Sequence, residues 1–196
     1  VQVNPVPTAT ATPSTQTICS AGATSIALSS NIVGTTYSWT TTQSGVTGAS
    51  NSSGSNITQT LTTTGTSPGT VTYTITPVNG CTGSTIIATV TVNPTPAMTS
   101  ASTATICSGG EASIPLTSNV ASTYTLIATN NPNTTGESIT TQSTNTLSNT
   151  ITNNTVTTQP VIYTVTPTST GGSCVGTSQT VTVTVNPVPT ITATPT

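Results

Sequence analysis

"TVTYTIT", residues 70–76, sets Thr against Val, Tyr and Ile in strict alternation. A period of two puts every second side chain on one face, which is the mark of a strand with one face buried and one wet. Thr, Val and Ile are also β-branched and fit a pleated surface better than a helix. The same pattern returns in "ATVTV" (88–92), "VIYTVT" (161–166) and "TVTVTV" (180–185). Runs of Leu, Glu, Lys or Arg that would favour helix are lacking, and Pro or Gly recurs at short intervals. The fold class is all-β.

Working outward from 70–76, strands are expected at 8–12 with an extension near 16–19, then at 24–29, 35–41, 46–49, 56–63, 70–77 and 84–92. Seven short strands separated by Gly, Asn and Pro signals describe a Greek-key β-sandwich of immunoglobulin type. The order repeats at 112–117, 122–128, 137–142, 146–152, 160–166 and 179–185. "VNPVPTATATPS" (3–14) and "VNPVPTITATPT" (185–196) agree at ten of twelve positions, and a weaker copy, "VNPTPAMTSAST", starts at Val92. The chain therefore reads as 1–3, the end of a preceding repeat; 4–92, a first sandwich; 93–185, a second; and 186–196, the first strand of a further repeat. That last strand is expected either to continue into another copy or to be donated to a neighbouring chain.

Composition narrows function sharply. Lys, Arg, His and Asp are absent, and Glu111 and Glu137 are the only carboxylate side chains. Acid–base and nucleophilic catalysis need a titratable group beside the reacting atoms, so no catalytic residue is assigned and the reading is non-enzymatic. Nucleic-acid binding needs cations against phosphate. Two Glu 26 residues apart do not form a calcium cluster, and no metal or other cofactor is expected. Disorder is disfavoured as well: net charge is only −2, 31% of residues are hydrophobic, and mean hydropathy is +0.08, against the high-charge, low-hydrophobicity signature. No apolar run approaches the twenty residues of a membrane span, so membrane insertion is not expected.

Tyr37 and Trp39 of "TYSW" align with Tyr124 and Leu126 of "TYTL"; Tyr73 aligns with Tyr163. Residues two apart share a strand face, and a Trp that becomes Leu in the second copy is a core substitution. Tyr37, Trp39, Tyr73, Tyr124 and Tyr163 are therefore assigned to the two cores. "NPVP" and "NPTP" place two prolines around one residue, which favours an extended, stiff joint between units. The units are accordingly expected in an extended array.

Those residues carry a resemblance. "TICSAGATSIALSSNIVGTTYSWT" (17–40), "GTVTYTITPVNGCTG" (69–83) and "TVTVNPTP" (89–96) resemble the PKD-like, immunoglobulin-like tandem repeats of large secreted Bacteroidetes surface proteins. The gliding-motility adhesins exported by type 9 secretion are of this kind. The resemblance implies an extracellular, cell-surface location and a role as filament, adhesin or stalk. Its implied partners are further copies of the same repeat, in the same chain or in neighbouring ones, with surface polysaccharide as a second candidate. Calcium-binding relatives use acidic residues that this chain lacks.

Four cysteines remain: Cys19 and Cys81 in the first unit, Cys107 and Cys174 in the second. An even count without CxxC or His spacing favours disulfides over zinc. Pairing within each unit is the simplest expectation, and a closed loop of some 60 residues would contribute about 4 kcal/mol on the chain-entropy model. Topology raises a second possibility. Cys19 belongs near the turn after the first strand and Cys81 in the turn before the last, at opposite ends of a seven-strand sandwich. Cys19 would then pair with Cys174 in a ladder between units, and Cys81 and Cys107 would seek partners in further units. Sequons at Asn51, Asn56, Asn133 and Asn153 arise readily by chance in so Ser- and Thr-rich a chain. Two other functions remain open: a glycan- or surface-binding module using loops such as "TGASNSSGSN" (47–56) and "TNNPNTTGES" (129–138), or a non-catalytic spacer in a secreted multidomain enzyme.

Overall fold

The computed structural model describes residues 4–191. All regular structure in this span is β. It divides into two compact units, residues 4–95 and 96–191. The N-terminal tripeptide, and residues 192–196 of the expected strand at 186–196, lie outside the described residues.

The first unit contains β1 (Ala9–Thr12), β2 (Thr15–Cys19), β3 (Gly22–Ala23), β4 (Ile26–Ser30), β5 (Thr36–Ser44) and β6 (Val46–Thr47). It continues with β7 (Ser52–Ser53), β8 (Asn56–Ile57), β9 (Thr60–Thr63), β10 (Gly69–Asn79), β11 (Cys81–Thr82) and β12 (Ile86–Asn93). One layer is the sheet β2-β12-β10-β5-β7; the other is built from the short sheets β1-β4-β8 and β3-β9-β6. The second unit has β13 (Thr103–Cys107), β14 (Gly110–Pro115), β15 (Ser122–Ala128), β16 (Thr134–Thr135) and β17 (Gln142–Ser143). It closes with β18 (Thr146–Asn153), β19 (Gln159–Ser169) and β20 (Gln179–Asn186). Its layers are β13-β20-β19-β15-β17 and β14-β18-β16.

β10 holds the alternation that opened the sequence reading. Val71, Tyr73 and Ile75 are wholly buried, while Thr70, Thr72 and Thr74 face outward. Across the ladder Thr72 stands opposite Thr89 on one side and Thr42 on the other. The outer face of the large sheet is thus a grid of Thr hydroxyls and methyls, uncharged and able to satisfy its polar atoms with water. Each unit has its own core. The first gathers Ile26, Leu28, Trp39, Ile57, Leu61, Tyr73 and Val90 among others; the second gathers Ile114, Leu126, Leu147, Ile151, Tyr163 and Val183.

Two expectations need correction. Residues 8–19 do not run as one extended strand. β1 pairs antiparallel with β4, whereas β2 pairs parallel with β12 in the opposite layer. The chain changes layers at Pro13 and Ser14, where proline removes a ladder donor. A strand over 137–142 does not form either. Asn131, Thr134 and Glu137 bond one another in a turn, and Gly136 takes φ +99°, so only β16 and β17 pair there.

Candidate functional site

The chemically distinctive side chains are the four cysteines, and each unit's topology assigns them to opposite ends. In the first unit Cys19 ends β2, in parallel register with Asn93 at the end of β12, and the Ser20 amide donates to the Asn93 carbonyl at 2.8 Å. Cys19 therefore marks the end from which the chain leaves the unit. Cys81 lies in the turn between β10 and β12. Its thiol is 3.9 Å from the Asn4 carbonyl. Two residues on, Gly83 donates to the Pro77 carbonyl at 2.9 Å and lies so close to the Pro7 carbonyl that a Cβ could not fit. Cys81 marks the end at which the chain enters.

The second unit repeats this arrangement. Cys107 is opposite Asn186 at the exit, with Ser108 donating to the Asn186 carbonyl at 2.8 Å. Cys174 precedes Gly176, which donates to the Pro167 carbonyl at 2.9 Å and abuts the Pro96 carbonyl at the entry. Cys19 and Cys107 are thus exit cysteines, and Cys81 and Cys174 entry cysteines.

Their oxidation states differ. Cys19 and Cys174 are disulfide-bonded; Cys81, half-buried, and Cys107, exposed, are free thiols. The expected within-unit pairs Cys19–Cys81 and Cys107–Cys174 are therefore not formed. The reason is geometric: entry and exit lie at opposite ends of strands of eight to eleven residues, and a disulfide tolerates a Cα separation of at most about 7 Å.

All five aromatic rings sit in cores: Tyr37 and Trp39 are 7% and 5% exposed, Tyr124 is 7%, and Tyr73 and Tyr163 are fully buried. The Tyr73 hydroxyl donates to Gln59 Oε1 at 2.9 Å. Burial raises its pKa, partly offset by the Thr24 hydroxyl. The Tyr163 hydroxyl is buried without a partner, as is one oxygen of Glu137. Burial, and then the charge of Glu137, push the Tyr163 phenol well above its usual value. The other Glu137 oxygen accepts from the Asn131 amide at 3.3 Å and the Thr134 hydroxyl at 3.1 Å. Sequence reasoning passed over this carboxylate as an isolated charge; its turn partners, Asn and Thr three to six residues upstream, were the signal to read.

Among the described residues no three His, Cys, Asp or Glu side chains cluster as metal ligands. The surface depressions are shallow. One of about 280 Å³ is lined by Thr35, Thr36, Tyr37, Ser53, Gly54 and Ser55. Of the sequons, Asn153 is spent in the fold: its side-chain amide donates to the Val185 and Thr157 carbonyls, at 2.9 and 2.8 Å.

The PKD-like domain model matches residues 16–96 and again 104–189, one copy for each unit and most of the chain. The chain belongs to the PKD-like domain family. No curated protein sequence matches it significantly. Solved structures similar to this PKD-like pair include Drosophila N-cadherin EC1-4, with 11% identity over 89% of this chain and 47% of that one, and a TM-score of 0.42. Another is a SusE-like, surface-located polysaccharide-binding protein of Bacteroides thetaiotaomicron, with 16% identity over 88% of this chain and 33% of that one, and a TM-score of 0.35. A third is the fibronectin(III)-like modules of Clostridium thermocellum CbhA, with 11% identity over 92% and 95%, and a TM-score of 0.31. The PKD-like pair thus spans about half of the cadherin and a third of the SusE-like protein. Among the described residues, no helix is long and apolar enough to cross a membrane.

Proposed function

We propose that this PKD-like pair is a structural repeat segment of an extracellular filament, adhesin or stalk on a bacterial cell surface. It acts as a stiff, non-catalytic scaffold. The distribution of the cysteines carries this reading. The exit cysteine of the first unit and the entry cysteine of the second are both oxidised, while the other two are free thiols.

Tandem copies of one domain, each with its own core, repeat along a chain in the way a stalk or filament requires. Disulfides persist in oxidising, extracellular settings, in keeping with a surface location. A glycan-binding role gains nothing from the aromatic rings, all of which are committed to cores. Antibodies against this segment, applied to intact cells of the source bacterium, test the reading. Labelling of surface filaments is expected; labelling only after lysis would contradict it.

A further inference from the structure

Asn79 ends β10, Gly80 begins the turn to β11, and the Asn79 side-chain amide donates to the Val33 carbonyl at 3.0 Å. This bond ties the turn to the connection between β4 and β5, where Val33 itself is 99% exposed. The second unit makes the equivalent tie differently. There Thr170, just after β19, donates from its backbone amide and its hydroxyl to the Ala121 carbonyl just before β15, at 2.9 and 3.2 Å. One tie hangs on a side-chain carboxamide, the other on a backbone amide and an alcohol.

We propose that Asn79 is a modification site: its amide is lost by attack of the Gly80 backbone nitrogen, leaving aspartate or isoaspartate, and the loss cuts the tie to Val33. The chemistry needs only water and does not depend on the stalk reading. Sequence and geometry converge on this one asparagine. A succinimide ring closes when a backbone nitrogen reaches the side-chain carbonyl carbon of the residue before it. Asn followed by Pro, as at Asn93 and Asn131, has no N–H to react. A β-branched follower, as after Asn31 and Asn119, crowds the approach. Asn79 alone precedes Gly, which has no side chain to shield its nitrogen. The turn is also loosely held. Gly80 is exposed and takes φ +67°, and β11 pairs with β10 only through Cys81 and Thr82. Few ladder bonds therefore have to open before the ring can close. The next most open site, Asn51 before Ser52, is fixed by the Thr41 amide, which donates to Asn51 Oδ1 at 2.8 Å.

The step balances with water alone. The Gly80 amide gives its proton to hydroxide as its nitrogen bonds Asn79 Cγ; the Cγ–Nδ2 bond breaks, and ammonia leaves with a proton from water. One water then opens the ring. Attack at Cγ yields aspartate, and attack at the Asn79 backbone carbonyl yields isoaspartate, with the main chain rerouted through Cγ. Either product replaces the donor that faced the Val33 carbonyl with a carboxylate, which can only accept. Two acceptors cannot bond, so the tie is lost. Residues 4–95 hold no Asp, Glu, Lys, Arg or His, and the new carboxylate becomes the one charged side chain of that span near neutral pH.

The test incubates the folded 196-residue chain in mildly alkaline buffer, quenches in acid, and digests with pepsin for peptide mass spectrometry. Conversion at Asn79 should run several-fold ahead of every other asparagine, with a matching acidic species on ion exchange. Asn79→Ser, which copies Ser169 at the end of β19, should abolish that species; the unmutated chain alone decides the site if this variant folds badly. Asn79 intact in the folded chain while it converts in urea would overturn the proposal, as would conversion spread evenly over the asparagines. Deuterium exchange then reads the tie. Uptake over 31–36 should rise several-fold in the converted chain and stay unchanged over 118–123. Equal uptake over 31–36 before and after conversion would overturn the claim that this amide holds the connection.

Discussion

Tyr73 and Tyr163 occupy the same place in their two units, each fully buried in the central strand of the large sheet, yet their hydroxyls fare differently. In the first unit Gln59 accepts the proton at 2.9 Å. In the second the hydroxyl has no partner, and a carboxylate, Glu137, lies near enough to raise the phenol pKa. Trp39 and Leu126 differ in the same way: both fill the core, but only the Trp brings a buried N–H that lacks an acceptor. The lesson is that apolar alternation fixes the sandwich, while whether a buried polar atom finds a partner is decided locally and unit by unit.

The comparison breaks most visibly where both units depend on the same apolar contact. Leu61 and Ile151 are fully buried, and their carbonyls accept from Ala21 and Gly109 in matching ways, both at 2.8 Å. Truncating either to Ala should cost about 2–5 kcal/mol. Calorimetry should show Leu61→Ala lowering the stability of the first unit and Ile151→Ala that of the second. Equal loss from both units in either variant would show them to be one cooperative block.

Next come Gly48 and Gly136, with φ +102° and +99°, where a Cβ would collide with the carbonyls of Thr60 and Thr150. Backbone strain of this sort costs on the order of 1–3 kcal/mol. Gly48→Ala and Gly136→Ala should both lower Tm clearly; a neutral result at either would mean that the turn is not held as described.

The tyrosines sharpen the difference itself. Tyr73→Phe removes the shorter of the two hydrogen bonds to Gln59 Oε1, leaving that from the Ser50 amide at 3.2 Å, and should cost about 1 kcal/mol, whereas Tyr163→Phe removes an unpaired hydroxyl and should be neutral or stabilising. Urea unfolding of the two variants checks the sign, and equal losses would erase the distinction drawn here.

The smallest effect near neutrality is the dependence on pH. Because burial and Glu137 raise the Tyr163 pKa, the folded state keeps a proton that the unfolded chain releases from about pH 10. Stability from this residue is therefore complete below about pH 10 and declines as pH rises toward the folded value. Tyr163→Phe should flatten that decline in an alkaline denaturation series.

Much of this was legible beforehand. The alternation in 70–76 and 180–185 announces central strands, and the two-residue spacing of Tyr37 and Trp39 announces a core face. The change of layer at Pro13 was not legible, because 8–12 and 15–19 both read as extended, and only pairing partners separate them. The missing strand at 137–142 is a case of side-chain turn bonding at Asn131 and Thr134 outcompeting a ladder. For the cysteines, strand counting put Cys19 and Cys81 at opposite ends. Which of the four are oxidised, Cys19 and Cys174, was not legible in the spacing.

The direct test of the central claim is disulfide mapping of the 196-residue chain after alkylation of its free thiols, by non-reducing peptide mass spectrometry. Pepsin or chymotrypsin must be used, since trypsin has no Lys or Arg to cut. The account predicts that Cys19 and Cys174 are oxidised and escape alkylation, with Cys81 and Cys107 alkylated. Peptides joined as Cys19–Cys81 and Cys107–Cys174 would contradict it.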